Sequence, residues 1–180
     1  DLLELSRLEG TDRAWHLVPL DLADLVEETA NTYREIAQEA DLLLYVEIGD
    51  YLPPIQGDAT LLRQVITNLL DNAIKYTEPG GHVWMTLSGD DEAVHLSVRD
   101  TGVGIPPTHL DRIFERFYRV DKGRCRKMGG TGLGLAIVKH IVEKHHGKIA
   151  VESEYGEGTC FTVTLHDIPE EQMVPAAASS

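Results

Sequence analysis

The hydrophobic positions of this chain change period several times. In DLLELSRLEG, residues 1–10, apolar residues at 2, 3, 5 and 8 precede Gly10; the segment reads as the last turns of a helix that begins upstream. WHLVPLDL (15–22) is strand-like up to Pro19, and Asp21 is a candidate N-cap for a helix running to about Ala40. LLLYVEIGD (42–50) is an apolar run of strand length, expected to be buried and closed by the breaker-rich YLPPIQGD. Asp58 then caps a second long helix with an apolar face of Leu62, Val65, Ile66, Leu69, Leu70 and Ala73, ended by EPGG at 78–81.

Beyond that helix the period shifts to two. HVWMTLS and EAVHLSVRD alternate around SGDD as an antiparallel hairpin, and KIAVES with TCFTVTL, joined by EYGEG, forms a last one. Between them lie a short helical piece near HLDRIFERF, an irregular basic stretch, and GGTGLG opening a helix over 133–145. The tail from Pro169 has little to bury and is expected to be disordered. The chain contains no internal repeat. Helices that must share one face of a mixed, mostly antiparallel sheet predict an α+β two-layer sandwich.

One helix departs from simple amphipathicity. In NLLDNAIKYT (68–77), Asn68, Asp71, Asn72 and Lys75 fall at i, i+3, i+4 and i+7, a single stripe. A solvated helix face is the bland explanation of such a stripe, but solvated faces favour Glu, Gln and Lys, whereas Asn amides compete with the helical backbone. An amide oxygen suits magnesium, which takes its other oxygens from water and phosphate, and a lysine one turn on meets phosphate as a point charge.

Composition narrows the field. With 180 residues and 42% hydrophobic content, the chain can bury one core. A formal net charge of -14 argues against nucleic acid or anionic lipid as partners. Seven of the 16 basic residues lie between 112 and 127, pointing to a local anion site. Cys125 and Cys160 are isolated, which indicates neither a disulfide framework nor a zinc site and fits reducing cytosol. No apolar run approaches bilayer-spanning length, and the N-terminus lacks a signal-peptide layout.

Two glycine-rich segments complete the candidate chemistry. Asp100 ends a strand and enters DTGVGIP (100–106). A carboxylate there can accept from an adenine amino group, and the carbonyl of guanine would be repelled. GGTGLGLAIVKHIV (129–142) places four glycines within six residues before a helix, where free amides and the helix dipole favour phosphate. No Lys-Ser or Lys-Thr follows, so it is not a Walker loop. The run Arg119, Lys122, Arg124, Arg126 and Lys127 just before it suggests a cationic cover closing over an anion; a flexible hinge is the simpler alternative.

RQVITNLLDNAIKYT, DTGVGI, IFERFYRVD, GGTGLGLAIVKHIV and GEGTCF, in this order, resemble the catalytic ATP-binding domain of two-component sensor histidine kinases of the GHKL superfamily. The likeness covers roughly residues 15 to 166, and FYRVDKGRCRKMGGTGLGLAIVKHIVEKHHG looks closest to phosphate-sensing members. The resemblance implies a Bergerat fold, Mg and ATP as cofactors, and Asn72 as the magnesium ligand with Asn68 near the phosphates. It places Lys75, Tyr76 and Arg119 against the nucleotide, with Asn68, Lys75 and Arg119 as catalytic residues. It further implies Asp100 on adenine, and Gly102, Gly104 and Ile105 shaping its loop. Gly130, Thr131, Gly132, Leu133 and Gly134 would surround the triphosphate, with Thr159 in the last glycine box. Phe114 and Phe117 would pack the base of the cover, and Asp71 would orient neighbouring groups.

The chain lacks the family's acceptor histidine followed by an acid: no His-Glu occurs, and the single His-Asp, His166-Asp167, lies past the last strand. Residues 1–14 therefore resemble the end of a dimerisation helix plus linker, 15–167 the ATP-binding domain and 168–180 a tail. Expected partners are the dimerisation and histidine phosphotransfer domain of the same kinase and a response regulator receiver domain, with no membrane contact by this segment. The segment is expected to be monomeric and cytoplasmic, within a homodimer that is often membrane-tethered. His140, His145 and His146 suit capping or solvation rather than metal. Rival functions are an ATPase clamp on the same fold, or a nonenzymatic module with a decayed pocket.

Overall fold

Two aspartates start the long helices. Asp21 accepts from the Ala23 amide at 2.9 Å, and Asp58 accepts from the Thr60 and Leu61 amides at 3.0 and 3.2 Å. Each satisfies donors that the first helical turn leaves without partners. The computed structural model describes residues 2–10, 15–120 and 130–166. Its elements are α1 (Leu2–Glu9), β1 (Val18–Leu20), α2 (Leu22–Glu39), β2 (Leu43–Ile48), β3 (Ile55–Gly57) and α3 (Ala59–Tyr76). There follow β4 (His82–Gly89), β5 (Ala93–Asp100), a 3-10 turn at Pro107–His109, α4 (Gly134–Lys144), β6 (Lys148–Glu154) and β7 (Gly158–His166).

The main sheet has the order β2-β4-β5-β7-β6, with β2 parallel to β4 and the other pairs antiparallel. Alternation sends Val83, Met85, Leu87, Leu96, Val98, Val163 and Leu165 into one core with the apolar faces of α2, α3 and α4. The opposite face carries a ladder in which Trp84 stacks on Tyr45 and His82 at 5.7 and 5.6 Å. This is the two-layer α+β sandwich that the order of elements predicts.

Several local expectations change. LLLYVEIGD is buried on one side only: Leu42 lies in the core, but β2 is an edge strand of alternating exposure, with Leu43 56% and Tyr45 42% exposed, because helices cover only one face of the sheet. YLPPIQGD contains β3, which pairs with β1 straight through Pro19. A two-stranded ribbon consists only of edges, so the missing proline donor is tolerated. HLDRIFERF yields turns after the 3-10 segment rather than a regular helix. The last helix begins at Gly134, one residue later than its predicted start. The tail at 168–180, Cys125, and Lys122, Arg124, Arg126 and Lys127 of the expected cover lie outside the described residues.

His145 is more than a cap. It is 5% exposed, its Nδ1 donates to the Ile141 carbonyl at 2.8 Å, and its Nε2 accepts from the Asp58 amide at 3.0 Å. One buried ring therefore ties the end of α4 to the start of α3. Burial lowers its pKa, keeping it in the neutral form that this pattern requires.

Candidate functional site

A cleft of about 750 Å³ opens between α3, the loop after β5, the β6–β7 turn and the segment preceding α4. The stripe on α3 supplies one wall: Asn68, Asp71, Asn72 and Lys75 all line it, and Tyr76 extends it. Leu62, Val65, Ile66, Leu69 and Leu70 of the same helix are 0–2% exposed on its other side. The burial of that face fixes which way the polar stripe points. Asp71 accepts from the Tyr33 hydroxyl of α2 at 2.7 Å. Burial, then the Asp71 carboxylate, raises the Tyr33 pKa, so the phenol stays a donor. Asn68 donates its amide to the Gly134 carbonyl at 3.4 Å, joining α3 to the first turn of α4. The Lys75 ammonium lies 5.1 Å over the Tyr76 ring.

The other end of the cleft belongs to the sheet. Asp100 closes β5 at 7% exposure and accepts from the Gly102 amide at 2.8 Å. Burial raises its pKa, opposed by the Gly102 and Thr159 amides. Gly158 lies so close behind it, at φ +138, that a Cβ would come within 2.0 Å of the Asp100 carbonyl oxygen. Gly104, at φ +68, would place a Cβ 2.1 Å from the Glu154 oxygen. Both positions exclude a side chain, so the loop after β5 is seated directly on the β6–β7 hairpin. The Ile105 amide donates to the Ser153 hydroxyl at 2.8 Å, and that hydroxyl lies 2.9 Å from the Thr159 hydroxyl.

Of the residues singled out in the sequence, Asn68, Asn72, Lys75, Tyr76, Asp100, Gly104, Ile105, Arg119, Gly130, Thr131, Gly132, Gly134 and Thr159 line this one cleft. Gly102 and Leu133 do not. Gly102 acts through its amide on Asp100, and Leu133, 1% exposed, anchors the glycine segment in the core. Phe114 packs edge-on to Phe161 as expected of a supporting ring. Phe117 does not pack: it is 59% exposed at φ +61, and its amide donates to the Gly132 carbonyl at 2.9 Å. Its contribution is through the backbone.

The motifs did not disclose Ser153, Tyr118, Tyr155 or Glu4. Ser153 was recoverable from the register of the last hairpin, which sets it opposite Thr159. Tyr118, Tyr155 and Glu4 line the cleft through loop and helix placement that no periodicity encodes. Among the described residues no three His, Cys, Asp or Glu side chains gather to hold a metal. The amides of Asn68 and Asn72 beside Asp71 instead fit a hard cation that completes its shell with water and ligand oxygens. A flat, amino-bearing group at Asp100 and a polyanion between α3 and the glycine segment match the two ends. No helix among the described residues is long and apolar enough to cross a membrane.

The family described as histidine kinase-, DNA gyrase B-, and HSP90-like ATPase matches residues 57–169. Sensor histidine kinase RppB of Synechocystis sp. is 43% identical over 167 residues, covering 92% of this chain and 36% of that protein. Phosphate regulon sensor protein PhoR of Pseudomonas aeruginosa is 39% identical over 164 residues, covering 90% of this chain and 36% of that protein. Full-length ShkA in complex with AMPPNP superposes with a TM-score of 0.80 at 34% identity, over 91% of this chain and 34% of that one. The chain thus spans little more than a third of the length of these relatives.

Proposed function

Because the chain belongs to the histidine kinase-, DNA gyrase B-, and HSP90-like ATPase family, and is similar over nine-tenths of its length to sensor histidine kinases, we propose that it is the ATP-binding core of such a kinase. It positions the γ-phosphate for transfer to a histidine on another domain. The observation that carries this is geometric: the Asn68–Lys75 stripe on α3 and the buried Asp100 face one cleft, so a nucleotide spanning it meets a base reader and a phosphate wall together.

Asp100 accepts from the adenine amino group, with Gly102, Gly104 and Ile105 holding the loop around the ring. Tyr76 and Thr159 border the nucleotide. Lys75, Arg119 and the amides from Gly130 to Gly134 face the phosphates. Magnesium, when bound, would neutralise phosphate charge; Asn72 would hold it, with Asn68 alongside. Asp71, fixed by Tyr33, orients this group. Catalysis by this chain is positioning and charge neutralisation. The incoming histidine nitrogen attacks the γ-phosphorus, the bond to the β-phosphate oxygen breaks, and ADP leaves.

In this scheme residues 1–14 are the end of a dimerisation helix with its linker, 15–167 the catalytic domain and 168–180 a tail. The partners are the histidine-bearing dimerisation domain and a receiver domain, and the domain works in the cytoplasm as part of a homodimer. The test is to mix the chain with a histidine-bearing dimerisation fragment and γ-labelled ATP. Acid-labile phosphate on that fragment is the expected result. Phosphate released equally fast without the fragment would instead favour an ATPase clamp, and neither product would favour an inert binding module.

A further inference from the structure

α1 reaches the cleft from a side that none of the motifs announces. Leu5 and Leu8 are buried, at 2% and 3% exposure, and the Leu8 carbonyl accepts from His140 Nε2 of α4 at 3.2 Å. Glu9 pairs with Arg116. These anchors fix the orientation of a short helix. Glu4, one turn before Leu8 and therefore on the same side, lines the cleft together with Gly134, Leu135 and Ile137 of α4. Because α1 packs on α4, whose first residue Gly134 accepts from Asn68, Glu4 adds a carboxylate on the α4 side of the cleft, beside the wall suited to a polyanion.

We propose that Glu4 is a specificity-determining residue that, while α1 is docked, weakens nucleotide binding in proportion to phosphate charge. This rests on the nucleotide-binding function proposed above. A carboxylate repels each added phosphate and is indifferent to an uncharged nucleoside, so its effect is largest on ATP, smaller on ADP and nil on adenosine. Coupling between two binding events is reciprocal. A triphosphate in the cleft therefore loosens α1 to the extent that docked α1 disfavours the triphosphate, and the helix becomes a mechanical report of whether the cleft is filled.

The test is calorimetric titration of the full chain with ATP, ADP and adenosine at fixed magnesium. Glu4→Gln is expected to tighten ATP on the order of three- to tenfold, as for one charge acting across a partly wet cleft. ADP should gain less and adenosine nothing, and the ATP gain should shrink at high salt. Glu4 is exposed, so ligand-free thermal unfolding of this variant should match that of the parent chain. Leu8→Ala, which undocks α1, should give a similar gain, and combining it with Glu4→Gln should add little, as expected of two changes acting through one contact.

ATP affinity that is unchanged or weakened in Glu4→Gln, or an equal change for adenosine, overturns the proposal; weakening confined to magnesium would show Glu4 holding the cation instead. If Asn72→Ala and Asp100→Asn still lower ATP affinity in that case, the nucleotide-binding function stands without the Glu4 effect. No ATP binding by the unchanged chain overturns both.

Discussion

The two ends of the cleft are made differently. At the sheet end, Asp100, Gly102, Gly104 and Gly158 form a surface of backbone pressed against backbone, with the one reading group 7% exposed. At the helix end, Asn68, Asn72 and Lys75 are half-buried side chains on α3, facing a glycine segment that belongs to a different element. A base of fixed shape can be met by a rigid, closely packed wall. A flexible chain of phosphates with a hydrated cation is better met by side chains and amides that can adjust. The sheet end should therefore fail by unfolding or clashing, and the helix end by losing charge complementarity in an intact fold.

The largest effect is expected from Gly104→Ala. The added Cβ would fall 2.1 Å from the Glu154 oxygen at a φ of +68. A cost of about 2–4 kcal/mol follows, read as a Tm drop of roughly 5–15 °C for a domain of this size, together with loss of ATP binding. Asn72→Ala should do the reverse, leaving the ligand-free Tm within a degree or two. It should abolish the magnesium-dependent part of the stabilisation that ATP confers, which is about 2.7 kcal/mol in total when ligand stands one hundredfold above its Kd. If the two variants behaved alike in thermal unfolding, the contrast between the ends would collapse.

Asp100→Asn is expected to weaken ATP by roughly ten- to a hundredfold, the worth of a hydrogen bond to a charged acceptor, and to narrow the preference for ATP over GTP in competition titrations. The same carboxyl gives a pH signature. Burial raises its pKa, so ATP affinity should fall as pH is lowered through a value above the ordinary carboxylate range. For the fold itself the sign is opposite. A raised folded-state pKa contributes stability that is fully present below the unfolded value and lost as pH rises through the folded one.

The smallest effect on ATP binding belongs to a support of the helix end. His145→Ala leaves the Asp58 amide without its acceptor, costing about 1–3 kcal/mol of stability. In the unchanged chain the His145 pKa is depressed. Its contribution is therefore present above the ordinary histidine value and declines as acidification passes through the lowered one. Thermal melts across that range would show the decline in the parent chain and its loss in the variant.

Much of this site was legible because its signals are local. The stripe on α3 follows from helical spacing alone, and Asp21 and Asp58 act as caps because the side chain and the amides it accepts from lie within three residues. Gly104 and Gly158 sit where the backbone cannot carry a Cβ, and such a requirement shows as glycine in any sequence. The strand β3 was hidden in YLPPIQGD because its pairing partner is β1, 37 positions away by register, and β2 read as buried because apolar content does not say which strand ends at an edge.

The amino-acid order by itself determined which residues share a helix face, where helices begin, and which strands alternate; each is settled within a few residues by backbone geometry. Only the tertiary structure decided that Asp100 and the α3 stripe face each other, that His145 joins the end of α4 to the start of α3, and that Glu4 enters the cleft. Those juxtapositions depend on burying apolar surface that is distant along the chain, and hydrophobic attraction carries no record of direction until the layers have packed.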